Sequence, residues 1–156
     1  MKKIIVLVFA ILFSANIVEA QLGFFSVGLK IGYSFGNNGG LTMGIEGSYF
    51  HLADDGRSVG AVISVDGWKE YRRLHLGIES NFKTKAEDVM ELAGFEIGPT
   101  ILMRDGEYDI GIGATPYFGV FIIPYYTFTF YDENFHTHEA GTYLKFPFPV
   151  EGEIRF

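Results

Sequence analysis

Between Phe24 and Phe35 the chain alternates without a lapse. Phe25, Val27, Leu29, Ile31, Tyr33 and Phe35 are apolar, whereas Ser26, Gly28, Lys30, Gly32 and Ser34 are small or polar. Successive side chains of a strand point to opposite faces, so a period of two means a β-strand with two distinct sides. The character of those sides narrows the fold further. One is large and apolar along its whole length; the other is glycine and serine around a single lysine. A strand of a soluble sandwich more often has a broadly polar outer face. Large apolar groups outward and small polar groups inward suit a narrow barrel surrounded by lipid.

The same pattern recurs along the chain. After the turn signal GNNGG, Leu41, Met43, Ile45 and Tyr49 oppose Thr42, Gly44, Glu46 and Ser48. If that turn centres near Asn38, Lys30 lies opposite Glu46, an opposite-charge pair on the polar side. A third strand is expected from Val59 to Trp68, with Val62 as an apolar exception on its small face. The charged connection WKEYRR leads to a fourth, with Leu74, Leu76, Ile78 and Phe82 outward. KTKAEDV is the next break and could hold a helical turn. A fifth strand turns Ala93, Phe95, Ile97, Ile101 and Met103 outward and closes at RDGE, whose Asp-Gly pair marks a tight hairpin.

A sixth strand starts near Tyr108, and a turn near Phe118 to Val120 leads to a seventh from Phe121 to Tyr131. YDENFHTHEA reads as a polar loop, and a final strand runs from about Gly141 toward Phe156. Pro147 and Pro149 in that strand suggest a bulge or an unpaired edge. The expectation is all-β: an antiparallel up-and-down transmembrane β-barrel of about eight strands, forming one domain over residues 21–156.

Residues 1–20 read as a cleavable signal peptide. Lys2 and Lys3 precede an apolar run from Ile4 to Phe13, and Val18-Glu19-Ala20 supplies small residues at a cleavage site. Its removal leaves 10 basic against 18 acidic residues, a net charge of −8. An acidic chain without basic clusters argues against nucleic acid as a partner. There are no cysteines, which excludes disulfides and thiolate metal sites. The 20 glycines, 16 phenylalanines and 9 tyrosines fit alternating strands that carry aromatics at their ends.

The outward rows favour lipid over water. No Lys, Arg, Asp or Glu falls in the middle of any of them, whereas such a charge costs roughly 2–4 kcal/mol at a bilayer midplane. Aliphatics such as Leu29, Ile45, Ile63 and Ile112 sit at strand centres, and aromatics such as Phe25, Tyr33, Tyr108 and Phe130 near strand ends. The alternative in water is a secreted lipocalin-like barrel with the apolar rows turned into a ligand cavity.

In these rows, its leader and its aromatic C-terminal stretch ending GEIRF, the chain resembles the small bacterial outer-membrane β-barrel proteins. The resemblance is one of architecture and carries no activity. It implies an outer-membrane location, membrane lipid as surroundings, contact with the barrel-assembly machinery during insertion, and a monomer. It also implies an assembly signal at Val150, Ile154 and Phe156, from which Gly152 and the two prolines upstream depart.

Candidate chemistry is sparse. His136 and His138, with Asp132, Glu133 and Glu139 nearby, are weak metal-ligand candidates. The inward charged set comprises Lys30, Glu46, Asp66, Arg73, His75, Glu79, Glu96, Arg104, Asp109 and Lys145. It reads as an ion-paired filling of a small lumen rather than an acid–base site, with Asp66 facing His75 and Arg104 facing Asp109. No cofactor is expected. A membrane-embedded lipid-modifying enzyme is the catalytic alternative; it would need a Ser–His pair on the lipid side. His51 is the outward histidine in this reading, at the end where the chain termini lie. No G-x-S-x-G motif occurs.

Overall fold

The computed structural model describes residues 22–150, apart from 37–38, 53–56, 84–91, 120–121 and 133–134. The expected signal peptide, the expected helical turn in KTKAEDV, Glu133, Ile154 and Phe156 lie outside or largely outside the described residues. Eight strands follow one another: β1 (Leu22–Phe35), β2 (Gly40–Leu52), β3 (Ser58–Trp68), β4 (Tyr71–Lys83), β5 (Leu92–Arg104), β6 (Glu107–Phe118), β7 (Ile122–Phe130) and β8 (His136–Val150). Each pairs antiparallel with its neighbours, and β1 also pairs with β8, so the sheet closes into a barrel without free edges. A strand of 13 residues rises roughly 43 Å, enough to cross an apolar layer of about 25 Å even when tilted by about 40°.

The alternation of the sequence becomes inside and outside. Among the described residues, 26 large apolar side chains are exposed and 8 are buried, the reverse of a domain that keeps its apolar groups from water. Leu29, Ile31, Ile45, Ile63, Leu76, Ile97 and Ile112 face out along strand centres. Phe25, Phe95, Phe118 and Phe148 face out toward the end that carries the chain termini; Tyr33, Phe35, Tyr108 and Phe130 do so at the other end. In the outward rows that are described, Arg72 at the start of β4 is the one Asp, Glu, Lys or Arg.

The hairpins at the end away from the termini are short. Lys69 and Glu70 alone join β3 to β4, so Tyr71, Arg72 and Arg73 of the expected connection belong to β4. Asp105 and Gly106 join β5 to β6, with φ of 51° and 84°. Positive φ at both central residues is the two-residue turn that matches strand twist, and Asp-Gly tolerates it. β8 begins at His136, five residues before the expected start, so His136 to Ala140 are strand and not loop.

Pro147 and Pro149 interrupt nothing. β8 keeps one register with β1 through both, from Gly23 opposite Val150 to Phe35 opposite His138. β7 pairs with β8 only as far as Leu144, opposite Ile122. The prolines therefore lie where β8 has β1 on one side and no described β7 partner on the other, which leaves room for a residue without an N–H. Of the two expected irregularities, the bulge is absent from the β1–β8 pairing among the described residues.

Candidate functional site

The interior is the place where this fold collects chemistry. Inward positions of β1, β3, β4 and β8 bring together Lys30, Asp66, Arg73 and Glu139, each at most 3% exposed. Lys30 Nζ donates to Asp66 Oδ2 at 2.7 Å and lies 3.1 Å from Glu139 Oε1. Arg73 grips Asp66 with two parallel bonds, Nε to Oδ1 at 2.9 Å and Nη2 to Oδ2 at 3.0 Å, and reaches Glu139 Oε2 at 2.5 Å. Such a fork fixes geometry as well as charge. Two cations meet two anions, so the cluster is neutral. Tyr125 donates its hydroxyl to Glu139, and the Lys30 ammonium sits 5.0 Å from the Tyr125 ring centre.

A second cluster lies nearer the termini. The Lys145 ammonium is ion-paired with Glu46, 3.3 Å from Glu79 and 3.6 Å from Glu96. Tyr117 donates to Glu79 at 3.3 Å and Tyr143 to Glu96 at 3.4 Å. One oxygen from each of the three glutamates lies within 4.8 Å of the other two, a spacing that would suit a metal ion. The ammonium of Lys145 already occupies the centre of charge there. Between the clusters His75 Nδ1 is 2.9 Å from Thr100 Oγ1, beside a cavity of about 10 Å³, room for roughly one water molecule.

Aromatic rings stand at both ends of the interior. Away from the termini, Trp68 stacks on Tyr71 at 5.2 Å and packs with Leu102, Tyr131 and Phe135 over Arg73, whose guanidinium lies 5.2 Å from the indole. Burial in this lid pushes the Tyr131 phenol up to about 12, so it stays protonated. At the other end Phe24 stacks on Phe50 at 5.5 Å, and Tyr117 bonds to Asn81, which donates to Ser58 at 2.8 Å.

Several expected positions and partners change. Lys30 faces Gly44 and not Glu46, and its ion pairs are Asp66 and Glu139; Glu46 faces Gly28 and pairs with Lys145. Asp66 stands opposite Arg73 and not His75, whose neighbour on β3 is Ser64. Arg104 stands opposite Glu107, and its half-exposed side chain donates to the Tyr71 hydroxyl at 2.8 Å on the outside of the lid. Asp109 is exposed. Neither Arg104 nor Asp109 therefore belongs to the lumen set: both share its parity but lie beyond the closed part of the barrel. Glu139, read as loop, is a central member. His136 and His138 face outward on β8, so His51 is not alone in the outward rows. Val150 ends β8 opposite Gly23.

No protein-family model matches the chain, and no curated protein does. Among solved structures it is similar to Neisserial surface protein A (NspA), with a TM-score of 0.54, 9% identity, and coverage of 79% of this chain and 95% of that one. It also matches a de novo designed transmembrane β-barrel, with a TM-score of 0.44, 13% identity and the same coverage. What the chain shares with NspA is its fold, a closed antiparallel barrel of eight strands.

Proposed function

We propose that this chain is a bacterial outer-membrane β-barrel with a packed polar lumen, serving a structural or surface-interaction role in the envelope and not conduction or catalysis. One observation carries the reading: a closed barrel turns a band of aliphatic side chains outward, edged by aromatics, and keeps the charges at the level of that band inside. In water that surface would expose far more contiguous apolar area than a soluble monomer tolerates. In a bilayer it is the expected match to the hydrocarbon layer and its two interfaces. The soluble lipocalin-like reading needs the apolar rows to face a cavity, and they face outward. The two ionic clusters and two aromatic mouths favour a barrel that does not pass solutes. Short hairpins away from the termini favour a structural role over adhesion.

The test is fractionation followed by reconstitution. Mature protein is expected to leave the membrane fraction only in detergent and, in planar bilayers, to give no steady conductance. Recovery as a soluble monomer without detergent would overturn the membrane reading, and a steady ohmic current would overturn the packed lumen. A change in membrane-lipid mass on deleting the gene would revive the enzymatic alternative.

A further inference from the structure

We propose that His136 and His138, oriented by Tyr126, form a binding site for a borderline divalent metal ion of the copper–zinc class on the outer face of the β7–β8 hairpin. The two histidines occupy alternate positions of one strand, so their side chains leave the same face from Cα atoms roughly 6.6 Å apart. Their ring centres are 5.3 Å apart and their planes stand at 86°. Two imidazoles at that separation can turn one nitrogen each toward a shared ion. Imidazole nitrogen is a ligand such ions favour.

The second observation concerns the ring that is not free to turn. Tyr126 Oη lies 2.5 Å from His138 Nδ1. A metal-binding histidine commonly gives its other ring nitrogen to such a partner, which fixes tautomer and orientation. With an ion on His138 Nε2, the Nδ1–H donates to the Tyr126 oxygen. The Phe128 ring packs beside both histidines, 5.9 Å from His136 and 5.0 Å from His138, and limits how far either can swing. Among the described residues no cation opposes an incoming ion from the paired positions of the adjacent strands: His138 stands opposite Phe128 and Phe35, and His136 opposite Phe130. His136 is exposed, so the remaining coordination positions stay open to water. The buried glutamates do not compete on equal terms, because the Lys145 ammonium already stands among them, ion-paired with Glu46 and 3.3 Å and 3.6 Å from Glu79 and Glu96.

The site does not depend on the membrane reading and is tested on tag-free protein in detergent micelles. Cu²⁺ is the probe, titrated against a competing chelator and followed by electron paramagnetic resonance. The expected result is one Cu²⁺ per chain with hyperfine structure from two imidazole nitrogens. His136→Ala and His138→Ala should each weaken binding at least tenfold. Tyr126→Phe should weaken it several-fold and leave the two-nitrogen signature in place. Circular dichroism matching the parent confirms that each variant folds. Wild-type binding no tighter than that of the double histidine variant overturns the proposal, as does a spectrum with oxygen ligands alone.

Discussion

Glu139 pairs with two cations at once. Its oxygens reach Lys30 and Arg73, and it accepts the Tyr125 hydroxyl besides. Replacing it with alanine would leave two positive charges on Asp66 alone, inside a barrel with little room for water. Removing one partner of a buried ion pair typically costs about 3–5 kcal/mol. Glu139→Ala is expected to lose that much in urea unfolding from lipid vesicles, whereas Asp109→Asn, at an exposed position, should stay within about 0.5 kcal/mol of the parent. Equal losses at the two positions would remove the network from the account of stability. Glu139 was hidden in the sequence for a physical reason. In a barrel with a polar interior and apolar exterior, a polar run such as HTHEAGT can be strand as easily as loop. The signal was parity: Thr137, Glu139, Gly141, Tyr143 and Lys145 share one face.

Strands tolerate errors of pairing that side chains do not. All three expected cross-hairpin charge pairs, Lys30–Glu46, Asp66–His75 and Arg104–Asp109, miss the observed register by two residues: the first two because the turn closes one residue earlier than its composition suggested, the third although the Asp-Gly turn falls where its composition put it, which sets Glu107 and not Asp109 opposite Arg104. A shift of two keeps every side chain on its face, so inside and outside were legible from alternation while partners were not. Interior glycines add a constraint that alternation also leaves hidden, because they seat specific rings. A Cβ on Gly94 would run into the Tyr117 ring, and one on Gly32 would meet the Tyr125 hydroxyl at 2.5 Å. Outward Gly47 is different, since its nearest neighbour would be Ile63 Cγ2 at 3.8 Å. Gly94→Val should therefore cost about 1–3 kcal/mol or block folding, as overpacking does, while Gly47→Val stays within about 0.5 kcal/mol. Vesicle-refolding yields and unfolding midpoints distinguish the two. Comparable losses would mean that the rings are not packed against the glycines.

At the scale of the whole barrel the decisive variable is the medium outside it. The same rows of side chains would be ruinous in water and favourable in hydrocarbon, and a charge placed in them reads which is present. Leu29 is half exposed at mid-strand, opposite Ile45 on one side and Leu144 on the other, inside the aliphatic band. Phe35 ends the same strand on the same face, at the aromatic rim. Arginine at a bilayer midplane costs about 2–4 kcal/mol, and near an interface about 0–1. Leu29→Arg should lose the larger amount and Phe35→Arg the smaller when unfolding is measured in vesicles. On a water-facing barrel both are surface substitutions and both should stay within about 0.5 kcal/mol. Depth dependence in vesicles would therefore support lipid around the barrel. Two small, equal effects would leave the band without its hydrocarbon and remove the membrane reading with it.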